Sequence, residues 1–164
     1  MTLVAIVAAL QSFRSQYTAL APVAGTVDAD WQLISLSSYL RRLTPAPASC
    51  VIEGSPPYHY HETTHRYIWV IDDTGIPYIL ENKVEILGNE VPKHTNLTAG
   101  EAAYIGGEIW FRNASSIYLS GGSGRYPPRS EQHLADAVNV FQDYGYEVRS
   151  LGWNRDTNKA KRTL

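Results

Sequence analysis

The sequence predicts an α+β domain, with N-terminal helices and a C-terminal helix packed on a mainly antiparallel sheet or partial barrel. Two observations lead there. Apolar residues recur at helical spacing over the first twenty residues and again after Ser130. Between residues 66 and 119 the pattern changes to short runs of β-branched and aromatic residues, separated by Gly, Asn and Asp. The 164 residues suit one domain. A chain of this size buries roughly 70% of its unfolded surface, so it needs neither disulfide nor metal to fold. The expected division is a helical segment over 1–45, a sheet-rich core over 66–152 and a polar tail over 153–164.

Each element has its own signal. Leu3, Ile6, Val7, Leu10, Phe13, Tyr17 and Leu20 predict an amphipathic helix over 3–20, ended by Pro22 and Gly25. Asp30 is placed to cap a second helix carrying Leu33, Leu36, Tyr39, Leu40 and Leu43, although Trp31 to Leu36 also reads as a strand. Thr44 to Pro57 is a proline-rich connection. Tyr67 to Ile71 and Ile76 to Leu80 read as a hairpin around Asp72-Asp73-Thr74-Gly75, with Pro77 placing the second strand at a sheet edge. Lys83 to Leu87 is predicted as a strand stopped at Gly88-Asn89. Thr98 with Glu101 fits a capping box for one helical turn. Gly107 to Phe111 and Ser116 to Leu119 are strands joined through Arg112-Asn113. Ser130 caps a helix whose apolar face is Leu134, Ala137, Val138 and Phe141; Gly145 ends it, and Tyr146 to Leu151 is a last strand.

Composition narrows the function classes. A net charge of −2 provides no basic footprint for nucleic acid. Only the end of the chain is locally basic, with Arg155, Lys159, Lys161 and Arg162, and this reads as a solvated tail. The apolar start MTLVAIVAAL is too short to span a membrane and lacks the basic flank of a signal peptide, so neither membrane insertion nor export is expected. Cys50 is the single cysteine, which permits a cytoplasmic location. Eleven tyrosines against three phenylalanines suit half-buried strands. Oligomeric state is not legible.

The strongest candidate site is the loop Ser120-Gly121-Gly122-Ser123-Gly124-Arg125-Tyr126-Pro127-Pro128. Three glycines allow positive φ or a close approach of backbone amides to a ligand. With the hydroxyls, an arginine and a nearby histidine, the loop suits a small polar, anionic or nucleotide-like ligand. The candidate lining is His94, Glu108, Ser120, Ser123, Arg125 and Tyr126. The competing reading is a structural turn that starts the next helix.

The histidines carry a second chemistry. His61-Glu62-Thr63-Thr64-His65 spells H-E-x-x-H, which in zinc proteases sits on a helix with both histidines on one face. Here Pro56-Pro57 precedes it, Thr63 and Thr64 are β-branched, and a strand follows at once, so a helix is disfavoured. Glu81 or Glu85 would be the third ligand. His59-x-His61 at the end of Gly54 to His61 resembles the first motif of a cupin barrel, and Leu97 to Ile105 resembles the start of the second. That resemblance implies an all-β barrel and a divalent metal held by His59, His61 and His65. It departs from the pattern where a glutamate is expected, near His65 or Arg66, and where a late histidine is expected, near Phe111.

A wider resemblance spans residues 66–150. Its parts come in order: the strand Arg66 to Ile71, then Ile76 to Leu80, then His94-Thr95-Asn96-Leu97-Thr98-Ala99-Gly100. Gly106-Gly107-Glu108-Ile109 follows, and Ser123-Gly124-Arg125-Tyr126-Pro127-Pro128 precedes the helix. This resembles a domain of plant calmodulin-binding proteins with IQ motifs, and of related bacterial proteins, which carry H-S-S-F-L-A-G and S-G-H-Y-x-P at the corresponding places. Arg125 replaces the histidine of the second string. Leu10-Gln11 begins like an IQ motif, but Arg14 falls at the wrong spacing, so the resemblance does not imply calmodulin binding. Its bacterial members suggest a further alternative, a toxin or effector that transfers a nucleotide-derived group; this is analogy and not a site argument.

Overall fold

The computed structural model describes residues 3–23, 40–46 and 65–162. They form an α+β domain: three α-helices, a six-stranded, mainly antiparallel sheet, and a small two-stranded sheet. The helices are α1 (Leu3–Gln16), α2 (His94–Thr98) and α3 (Glu131–Asp143). The main sheet contains β1 (Arg41–Arg42), β2 (Tyr67–Ile71), β3 (Pro77–Leu80), β4 (Ile105–Asn113), β5 (Ser116–Ser120) and β6 (Glu147–Ser150) in the order β1-β3-β2-β4-β5-β6. β7 (Trp153–Asn154) and β8 (Lys159–Ala160) make the second sheet. The main sheet is open, with β1 and β6 at its edges, rather than a closed barrel.

All five residues of β2 are buried because the sheet is covered on both faces. Side chains alternate across a strand. Tyr67, Trp69 and Ile71 therefore join Phe111, Ile117 and Leu119 beneath α3, where Phe141 meets the Trp69 ring edge-on at 4.9 Å. Ile68 and Val70 face the other way, into a smaller cluster with Ile79, Val84, Leu97, Ala103 and Tyr126. The site described below lies on this second side. β4 carries the sheet: Trp69 pairs with Gly107 across β2, and Glu108 pairs with Ser120 across β5. β6 runs parallel to β5 after α3, as a parallel pair requires a long crossover. Ser130 caps α3, its Oγ accepting from the His133 amide at 3.0 Å. The His133 ring lies between α3 and α1, stacked on Phe13 at 5.8 Å.

Several expectations are corrected. α1 stops at Gln16 and not at Leu20, because Leu20 exchanges two backbone hydrogen bonds with Ala103. Leu40 to Leu43, expected on a helix, holds the short strand β1; most of the proposed 30–43 element lies outside the described residues. β3 is not an edge strand, although its outer partner β1 is only two residues long. Lys83 to Leu87 is no strand. Glu85–Leu87 is a 3-10 turn, and left-handed Gly88 (φ 65°) and Asn89 (φ 66°) fold the chain back so that Val84 pairs locally with Glu90. The helical turn near Thr98 ends there rather than beginning. It starts after Lys93, whose amide donates to Asn96 Oδ1 at 2.7 Å. The β4–β5 turn falls at Ala114-Ser115, with Asn113 Oδ1 accepting from the Ser115 amide. The segment read as a solvated tail forms the β7–β8 hairpin. No helix among the described residues is long and apolar enough to cross a membrane.

Candidate functional site

β4 places an acid where an apolar strand has no need of one. Glu108 is 2% exposed, and its neighbours account for its burial. Ser120 Oγ donates to Oε1 at 3.2 Å, Arg66 Nε reaches Oε2 at 3.2 Å, and Arg162 Nε reaches Oε1 at 3.4 Å. Arg66 also pairs with Glu81. A buried carboxylate needs this number of donors, since each unpaired charge away from water costs several kcal/mol.

Glycines make the packing around Glu108 feasible. None of Gly121, Gly122 and Gly124 has positive φ, so turn conformation does not explain them. A Cβ on Gly122 would lie 2.0 Å from Glu108 Oε1 and 2.7 Å from Arg162 Nε. A Cβ on Gly107 would lie 2.0 Å from the Ser120 carbonyl and 2.7 Å from the Trp69 ring. Gly124 differs: a Cβ there would meet nothing within 4 Å.

His94 stands beside Glu108 at the start of α2. Its Nε2 lies 2.8 Å from the Gly107 carbonyl, which only accepts, so Nε2 carries the proton. Burial lowers its pKa to about 4, and the ring is neutral at pH 7. It contributes shape and hydrogen bonding there, without charge.

These residues border a cavity of about 170 Å³. Glu81, His94, Glu108, Lys93, Arg125 and Arg162 line it, with Gly122 and Gly124 in the wall. Behind the same loop lies a second cavity of about 330 Å³, where Ser123, Pro127, Pro128, Val23 and Ala160 meet Gly121, Gly122, Gly124 and Arg162.

Of the six residues expected to line a pocket, the structure brings His94, Glu108 and Arg125 to the smaller cavity and Ser123 to the larger. Ser120 and Tyr126 line neither, which corrects the sequence reading of those two. Ser120 is fully buried; it donates to Glu108 and accepts from the Gly122 amide at 3.1 Å. Tyr126 is a structural pin. Its hydroxyl donates to the Glu101 carbonyl at 2.7 Å and lies 2.7 Å from Thr98 Oγ1. Burial raises the pKa of that hydroxyl. Ser123 Oγ accepts from the Tyr126 amide at 3.0 Å, closing the loop onto itself. Lys93 was missed by the sequence reading, and Arg66, Glu81 and Arg162 entered it only in other roles. The available signal was an ionisable residue, Glu108, inside an apolar strand, which demands cations from somewhere in the chain.

Comparison with family models, with curated proteins and with solved structures finds no match to this chain. The site therefore rests on its own geometry.

The metal reading involves other residues. His59 and His61 lie outside the described residues. His65 is described, just before β2, and its Nδ1 is buried without a hydrogen-bond partner. Among the described residues, no group of three His, Cys, Asp or Glu side chains is disposed to hold a metal ion.

Proposed function

We propose that the protein is a binding domain for a small anionic molecule, taken up in the cavity between α2, β4 and the Ser120–Tyr126 loop. One observation supports this reading above others. Lys93, Arg125 and Arg162, from three separate parts of the chain, converge on one cavity, where Arg162 shares the Glu108 carboxylate with Arg66. Arginine and lysine gathered in a concavity are the usual means of holding a carboxylate or phosphate. The strings that carry the family resemblance, His94 to Gly100 and Ser123 to Pro128, supply His94 and Arg125 to this cavity, which favours reading the shared segment as a ligand site. Thermal unfolding in the presence of phosphate, sulfate, citrate and nucleotide panels tests it. A bound anion at a hundred times its Kd should add about 2.7 kcal/mol of stability, and Arg125→Ala should abolish the shift. If no anion raises the melting temperature of the wild-type chain, the reading fails.

A second reading, a divalent metal held by His59, His61 and His65, is favoured by the buried, unpartnered His65 Nδ1. Elemental analysis of protein purified without a metal-affinity tag decides it. Absence of bound metal, with no metal-induced rise in melting temperature, removes this alternative.

A further inference from the structure

We infer that the outer edge of β6 is a self-association surface, on which a second copy of this chain pairs its own β6 antiparallel about a two-fold axis at Val148. This inference is independent of the anion-binding reading above.

β6 ends the main sheet on one side: it pairs with β5, and no strand among the described residues pairs with its outer edge. The Glu147 amide donates to the Ser115 carbonyl, and the Leu151 amide to the Leu119 carbonyl. Along a strand, alternate residues turn amide and carbonyl toward the same neighbour. Glu147, Arg149 and Leu151 therefore face β5, and Val148 and Ser150 present their amides and carbonyls outward. Such an edge is a ready template for another strand. Glu147, Arg149 and Ser150 are all exposed, so nothing in the fold covers them.

Charge selects the occupant. Glu147 and Arg149 project from the same face of β6, with side chains 67% and 55% exposed. Outward residues can bond only to outward residues of the second strand, so the antiparallel register moves in steps of two. With Val148 opposite the partner's Val148, Glu147 stands opposite the partner's Arg149, and Arg149 opposite the partner's Glu147. One step to either side opposes glutamate to glutamate or arginine to arginine, which is destabilising. The two unlike pairs fall at non-hydrogen-bonded positions, where facing side chains approach most closely. The ion pair within the strand, Arg149 Nε to Glu147 Oε1 at 3.8 Å, is exposed at both ends and costs little to give up. The opposite edge of the sheet differs: β1 is Arg41–Arg42, and self-pairing there would bring arginine against arginine.

Val148 supplies the apolar centre. It is the one residue of β6 that is not exposed, and it packs against the core cluster on the face opposite the two charges. The two-fold axis brings its uncovered part against the partner's Val148. An isologous contact of this kind uses up both β6 edges, so assembly stops at the dimer.

Sedimentation velocity of the full chain, up to hundreds of micromolar, tests this. The wild type should dimerise reversibly. Glu147→Arg and Arg149→Glu should each weaken the dimer by about tenfold or more, because each opposes like charges in every permitted register. The double exchange, Glu147→Arg with Arg149→Glu, should restore it. An equimolar mixture of the two single variants should form a heterodimer while each alone stays monomeric. Circular dichroism checks that the variants keep the wild-type fold, as exposed positions should. A wild type that stays monomeric overturns the inference. So does a dimer that both single variants retain, a larger assembly, or a mixture that fails to form the heterodimer.

Discussion

Replacing Gly122 with alanine tests what holds the floor of the cavity. The new Cβ would stand 2.0 Å from Glu108 Oε1, 3.0 Å from Glu108 Cδ and 2.7 Å from Arg162 Nε. The backbone does not oppose the change, because Gly122 lacks positive φ. A compatible Gly→Ala substitution by itself stabilises by about 0.4–1 kcal/mol through the unfolded chain. Arg162 is exposed enough to swing away, whereas the Glu108 side chain is 3% exposed and held by Ser120 and Arg66. Displacing it loses a hydrogen bond to a charged group, about 1.5–3 kcal/mol, and overpacks the site by about 1–3 kcal/mol. The net expectation is a destabilisation of about 2–5 kcal/mol. Gly124→Ala is the matched control in the same loop: with open space around its Cβ, it should be neutral or stabilising by up to about 1 kcal/mol. Urea unfolding followed by tryptophan fluorescence gives both values from the midpoints at constant slope. In a Glu108→Ala background the cost of Gly122→Ala should fall below about 1 kcal/mol, as coupled neighbours require. Equal stability of the two alanine variants, or a Gly122 cost that ignores the presence of Glu108, would refute the reasoning.

Tyr126→Phe should cost about 1 kcal/mol, because it removes the bond to the Glu101 carbonyl, while the Thr98 hydroxyl keeps the Thr95 carbonyl at 3.3 Å; an unchanged urea midpoint would remove Tyr126 as the pin of the loop. Thr95 Oγ1 is buried without a partner, so Thr95→Val should stabilise by about 1 kcal/mol, and a loss of stability would reveal a missing partner. Ser130→Ala should cost about 1 kcal/mol through the lost cap on the His133 amide, visible as reduced helix content or a lower melting temperature. Burial lowers His94 and His133 from 6.5 to about 4. The unfolded chain therefore takes up these protons first, so the stability they contribute is complete above about pH 6.5 and is lost as the pH falls toward 4. Unfolding near pH 5 should take up about two protons from this pair, and His94→Asn should remove about one; a stability profile that is flat from pH 7 to 4 would show that the rings are not buried in neutral form.

Elements written in near neighbours were legible. Tyr67 to Ile71 declared a strand by residue type, Ser130 declared a helix start by its spacing to the apolar face, and Gly145 declared its end. Each signal depends on residues within about one turn or one hairpin of each other. Lys83 to Leu87 was misread because the left-handed pair Gly88-Asn89 makes the chain pair with itself, an outcome that strand propensity does not contain. Within the site, glycines, Glu108, His94 and Arg125 could be singled out by type. Their sidedness could not. Ser120 and Tyr126 have the same polar credentials as Ser123 and Arg125, yet they face into the protein because of the register that pairs Glu108 with Ser120 and the bond from Tyr126 to Glu101.

The sequence by itself determined the α+β class and most element positions, because period, caps and turn residues act over a few neighbours. Only the tertiary structure decided that Arg66 and Arg162, from opposite ends of the sheet-bearing segment, meet the Glu108 carboxylate. Charge has no period, and a long-range meeting of charges depends on sheet order and on the return of the β7–β8 hairpin. The cost of leaving Glu108 buried and unpaired is the physical reason those cations converge, a constraint that exists only once β4 lies inside the sheet.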